Sequence, residues 1–240
     1  GIRDSVASRG LGDVYKRQGF NLTGSKPFVS DATLCDWLFL AFNCDGQLIL
    51  AKVDKEQCQI HSEPTMDETK DMGRVTLDNL SINKSDTMAL SNENLITLTN
   101  YGAVAVTAEM VGAAQSLLNL TSEYAKDRIQ FGKPIGQYQG VKHRLAEMFV
   151  DIESFRSLCY YAAWALDDAP SEVDRAVSLA KGYASDAFAE IGIDGVGLHG
   201  AIGFTAEYDA QLYLKRSKWA RPMYGDSNYH LDRLATLGGL

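Results

Sequence analysis

The hydrophobic pattern changes period near residue 92, and that change does most to decide the fold class. Before it, apolar and polar residues alternate, as in Gly73-Arg74-Val75-Thr76-Leu77-Asp78. After it, apolar residues recur every three to four positions over stretches longer than any ordinary strand. Strands first and helices second predict an α+β chain: a small antiparallel β-domain over residues 19–91, then an all-α bundle over 92–240.

The β-domain has readable punctuation. Apolar runs Trp37–Phe42 and Leu48–Val53 flank Cys44-Asp45-Gly46, which predicts a hairpin with an Asp-Gly turn. Turn residues at Gly24–Pro27 predict a break before the run at Phe28 and Val29. Residues 1–18 hold neither period and read as an unstructured leader or a sequence artefact, outside the fold argument.

In the helical part, Leu95–Ala125 predicts one long helix, with Gly112 inside it marking close approach of another helix. A second helix is predicted over Tyr138–Leu166, where Val141, Leu145, Met148, Ile152, Phe155 and Cys159 form one apolar stripe. A third runs from Glu172 to about Ile193, ended by the glycine-rich GIDGVGLHGAIGF; short helices follow at Asp209–Trp219 and Asn228–Leu237.

Composition narrows the function classes. A net charge of −8 argues against sequence-independent nucleic-acid binding, which needs a basic surface. The 4 cysteines form no CxxC pair and the 4 histidines add no ligand spacing, so no metal site is expected and reduced thiols in the cytoplasm are the natural reading. No apolar run reads as a membrane span.

Four stretches can carry chemistry. Arg128-Ile129-Gln130-Phe131-Gly132 closes the first long helix, either as a plain helix stop or as a turn that holds an anion. Gly195–Phe204 is a flexible loop or a phosphate cradle of bare backbone N–H groups, with His199 a structural hydrogen-bonding partner. Within Tyr224–Asn228, Asp226 or Ser227 is a helix cap or a catalytic carboxylate is present. Lys26–Ser30 is a strand entry, or an aromatic and a hydroxyl facing a flat ring.

Taken together, YAKDRIQFGKPIGQYQGVKHRLAEM, the downstream GLHGAIGFTAEYDAQLYLKRS and the upstream G-x-x-L-x-G-x-K-x-F-V-x-x-A of Gly19–Ala32 resemble the acyl-CoA dehydrogenase family. The resemblance implies an FAD flavoprotein that oxidises an acyl-CoA thioester to its 2-enoyl form, with electron-transfer flavoprotein as electron acceptor. It implies three domains, of which this chain carries the last two, as a fragment lacking the N-terminal helical domain. Arg128 matches the arginine at the FAD diphosphate; Phe131 and Gln139 match further flavin-contacting positions. Phe28 and Ser30 match the aromatic and hydroxyl beside the isoalloxazine. Gly197, Gly200 and Ala201 match the segment that reaches a neighbouring subunit's FAD, which implies a dimer or a dimer of dimers.

Two departures stand out. The family commonly has glutamine where this chain has Gly197, and glycine where it has Ala201. The family's base occupies one of two places: one falls at about Gly102, which has no side chain, and the other at Tyr224-Gly225-Asp226-Ser227. Aligned on Tyr224, glycine falls at the base position; aligned on Arg233-Leu234, Asp226 takes it. The competing readings are a subunit of a hetero-oligomer that lacks the base, and, from another class, a cofactor-free helical interaction module.

Overall fold

The computed structural model describes residues 19–238, so the leader expected over residues 1–18 lies outside them. The chain divides into two compact units, the first ending at Thr97 and the second beginning at Leu98.

The first unit carries two three-stranded antiparallel sheets. Strands β1 (Gly19–Ser30), β5 (Met72–Asn83) and β4 (Gln59–Ser62) form one, in the order β1-β5-β4. Strands β2 (Trp37–Cys44), β3 (Gln47–Asp54) and β6 (Thr87–Ala89) form the other. Alternation sends Leu38, Leu40 and Phe42 of β2, Ile49, Ala51 and Val53 of β3, and Val75 and Leu77 of β5 into one shared core. The β2–β3 hairpin turns on Asp45 and Gly46, with φ of 50° and 81°, the two positive angles of a type I′ turn. The turn expected at Gly24–Pro27 is absent. Strand β1 runs through it and absorbs those residues as two register slips against β5, between Leu22 and Gly24 and between Lys26 and Val29.

The second unit is a helical bundle. Helix α1 (Asn92–Asp127) begins just before it, followed by α2 (Gln139–Asp168), α3 (Val173–His199), α4 (Ala210–Ala220) and α5 (Ser227–Leu237). The predicted stripe on α2 is buried from Met148 to Cys159 and meets Met110, Ala114 and Leu117 of α1 and Ala184, Phe188 and Ile191 of α3. Phe155 and Phe188 are fully buried, each stabilising by about 1.5–3 kcal/mol. Helix α1 is apolar and long enough to cross a membrane by length and composition, but 50% of the window that qualifies is buried in this fold, as expected of a core helix.

Two glycine expectations are corrected. Helix α3 does not stop at Ile193 but continues through Gly195 and Gly197 to His199. A Cβ at Gly195 would lie 2.7 Å from the Leu117 side chain, and one at Gly192 would lie 3.2 Å from the Leu214 Cα, so these glycines let α3 approach α1 and α4. Close packing outweighs a helix-propensity cost of about 1 kcal/mol per glycine. Gly112, read as a close-approach site, is exposed, and a Cβ there would meet nothing within 4 Å.

Candidate functional site

The stretch after α1 is a β-hairpin rather than a simple helix stop. Strands β7 (Ile129–Gln130) and β8 (Lys133–Pro134) pair antiparallel across Phe131 and Gly132, whose φ values of 51° and 81° make a second type I′ turn. Gly132 suits that geometry; Phe131 does not. A bulky side chain at positive φ costs of order 1–3 kcal/mol, yet Phe131 is 94% exposed. The turn is latched from outside. The Tyr138 hydroxyl donates to the Gln130 carbonyl at 2.8 Å, and the Lys133 ammonium lies 4.3 Å from the Tyr138 ring centroid.

Arg128 stands at the base of this hairpin. Its N–H donates to Tyr124 and its carbonyl accepts from the Ile135 N–H at 2.8 Å, so the backbone is fixed at both ends of the loop. Its side chain is exposed and forms no ion pair among the described residues. Gln139 opens α2 and is exposed. The hairpin therefore brings Arg128, Phe131 and Gln139 into one locality.

Gly197, Gly200 and Ala201 are also exposed and adjoin the end of α1 through Tyr124. The Tyr124 hydroxyl donates to the His199 carbonyl, and the Tyr124 ring lies 4.5 Å from the His199 ring. Gly200 takes φ of 67°, which glycine alone adopts without strain, and ends α3. The segment expected as a flexible loop or a phosphate cradle is instead the last turns of α3 followed by a 3-10 turn over Gly200–Phe204, so that a helix C-terminus lies here. His199 is buried; its Nδ1 lies 2.6 Å from the Gly195 carbonyl, while Nε2 has no partner among the described residues.

In the first unit, Phe28 lies in the second register slip of β1, at φ of 53° and exposed. The Glu63 carboxylate accepts from its N–H at 2.7 Å and also pairs with Arg74, so the strained backbone is tied down. Ser30 is exposed, with its hydroxyl 3.5 Å from the Met72 sulfur. Nothing in the sequence pattern singles out Glu63.

At the far end of the bundle, Asp226 caps α5, accepting from the Tyr229 N–H at 3.0 Å through Oδ1. The cap reading therefore holds for Asp226; Ser227 is the first residue of the helix. Tyr224 and Gly225 before it both have positive φ, 56° and 101°. The Tyr224 ring lies directly over Gly102, where a Cβ would come within 2.3 Å of it. The missing side chain at 102 is thus the space that the Tyr224 ring fills. Beneath the turn sit two fully buried titratable groups that sequence reasoning missed, Lys181 and His230. The only hint of Lys181 is a lone cation on the otherwise small and apolar face of Val177, Ala180 and Ala184.

Among known proteins, the family model described as acyl-CoA dehydrogenase, C-terminal domain, matches residues 93–237. Acyl-CoA dehydrogenase IpdE2 of Mycolicibacterium smegmatis is 34% identical over 172 residues, 72% of this chain and 50% of that protein. The crystal structure of an FAD-dependent dehydrogenase superposes with a TM-score of 0.86 at 26% identity, covering 92% of this chain and 63% of that one. A variant of the Tcur3481-Tcur3483 steroid ACAD gives a TM-score of 0.83 at 27% identity, covering 98% and 66%. The chain spans about half the length of the curated relatives it matches. The match to the bundle, with these relatives, carries one conclusion: the chain belongs to the acyl-CoA dehydrogenase family.

Proposed function

We propose that the protein carrying this chain is an FAD-dependent acyl-CoA dehydrogenase, removing a proton from C2 and a hydride from C3 of an acyl-CoA thioester to leave a C2=C3 double bond. The observation that carries the reading is the hairpin after α1, which pairs an uncommitted guanidinium with an exposed aromatic held at a strained angle. Those groups fit a flavin dinucleotide: Arg128 offers a planar fork of donors to a diphosphate, and Phe131 offers an aromatic face. Gln139 adds an exposed amide at the start of α2. FAD, when bound, supplies the hydride acceptor.

Asp226 is the residue of this chain assigned to the C2 proton. Its capping bond engages Oδ1 and leaves Oδ2 without a bond among the described residues, to receive the proton. Phe28 and Ser30, exposed on the first unit, are assigned to the flavin ring.

Asp226 and Arg128 belong to opposite ends of α1. Gly102, which the Tyr224 ring covers, lies roughly 39 Å from Arg128 at 1.5 Å of rise per residue. That separation exceeds the length of a flavin dinucleotide. Arg128 of one copy therefore serves the cofactor of another, and the reading includes a dimer or a dimer of dimers. Electron-transfer flavoprotein is the proposed electron acceptor.

The test is Asp226→Asn in the intact protein: turnover of the acyl-CoA substrate falls at least 100-fold, within the range contributed by a positioned general base, while bound flavin is unchanged. A second reading, a subunit of a hetero-oligomer lacking its own base, is favoured by the bare Gly102 and by the capping bond on Asp226. Unchanged turnover in Asp226→Asn would support it.

A further inference from the structure

The turn Arg221–Asp226 is strained, and its strain is held from below. Tyr224 and Gly225 occupy successive left-handed conformations, at φ of 56° and 101°. Tyr224 at such an angle costs of order 1–3 kcal/mol and persists only where its surroundings enforce it. Three backbone carbonyls of the turn point into the bundle and are met there. Lys181 of α3 donates to the Arg221 carbonyl at 3.0 Å and to the Gly225 carbonyl at 2.8 Å. Its third proton goes to Ser185 Oγ at 2.8 Å. His230 of α5 donates from Nε2 to the Tyr224 carbonyl at 3.2 Å; its Nδ1 has no partner among the described residues.

We propose that Lys181 is a positioning residue: its buried ammonium clamps both ends of the Arg221–Gly225 turn and thereby sets where the Asp226 carboxylate stands. This rests on the reading of Asp226 as the proton acceptor, but the clamp itself does not.

An ammonium has three protons to donate and an amine has two. The three acceptors of Lys181 are satisfied together only while it is charged. Burial pulls its pKa down from 10.5 to about 8; the nearby Asp226 and Asp186 carboxylates act the other way, and Arg221 reinforces burial. His230 also faces it from α5. As pH rises through about 8, Lys181 loses a donor, and the two that remain are shared among the Arg221 and Gly225 carbonyls and Ser185 Oγ, which weakens the clamp.

The experiment compares Lys181→Met with the wild type in the intact protein, using two readouts. The first needs no activity: hydrogen exchange of the peptide covering residues 221–229, corrected for intrinsic rate. Wild-type protection there falls as pH passes about 8, whereas Lys181→Met is already less protected at pH 7 and shows no such step. The second is turnover. In Lys181→Met kcat falls about 100-fold, the scale expected for misplacing a catalytic group by about 1 Å, while KM and bound flavin stay within a few-fold. Should Lys181→Met not fold, Lys181→Gln retains two donors without a titrating group, and it loses the pH step while keeping partial protection. Unchanged exchange over residues 221–229, or a pH step that survives in either variant, overturns the clamp. If exchange behaves as stated but Asp226→Asn keeps full turnover, the clamp stands and the assignment of Asp226 falls.

Discussion

His230 shows how much one residue's environment changes its chemistry. It is fully buried, and burial, reinforced by the Lys181 charge, pulls its pKa from 6.5 down to about 4. A folded pKa below the unfolded one means that the unfolded chain takes up the proton first. The native state is favoured above pH 6.5 and loses that advantage as pH falls from 6.5 towards 4, by about 3 kcal/mol in all. Denaturant unfolding across that window therefore shows a steep acid loss in the wild type and a shallower one in His230→Gln. Equal slopes would mean that His230 is not the group responsible. Neither His230 nor Lys181 was legible from sequence, because a lysine in a helix ordinarily reads as surface and only the packing of α3 against α5 reveals the burial. Phe131 and Phe28 stand out in the sequence by resemblance, but their strained backbones do not. Positive φ at a phenylalanine opposes local preference and appears only once the hairpin and the register slip are in place.

The helices were legible as elements because their apolar period persists for many turns. Observed and predicted ends of α1, α2, α4 and α5 lie within a few residues of one another. Helix α3 is the exception. Its glycines read as breakers, but Gly192 and Gly195 are points of contact with α4 and α1. The same distinction predicts opposite outcomes for two alanine substitutions. Gly112→Ala, at an exposed position with open space, raises unfolding stability by about 1 kcal/mol. Gly203→Ala puts a Cβ 2.7 Å from the Val196 carbonyl and lowers stability by about 1–3 kcal/mol. Chemical denaturation of the two variants checks both signs.

For the molecule as a whole, the two-part architecture follows from the change of hydrophobic period, and the family from three stretches spread along the chain. No single stretch identifies the family: the Arg128 hairpin and the Asp226 turn each hold an aromatic residue at positive φ, and the family match spans the bundle that carries them both. The role proposed for Arg128 is to grip the diphosphate of a flavin nucleotide. The direct measurement is the flavin absorbance of the purified intact protein beside that of Arg128→Ala, both supplied with excess FAD and both checked for unchanged helix content. The account predicts a yellow wild type and a colourless variant. An Arg128→Ala protein that keeps its full complement of flavin would contradict it.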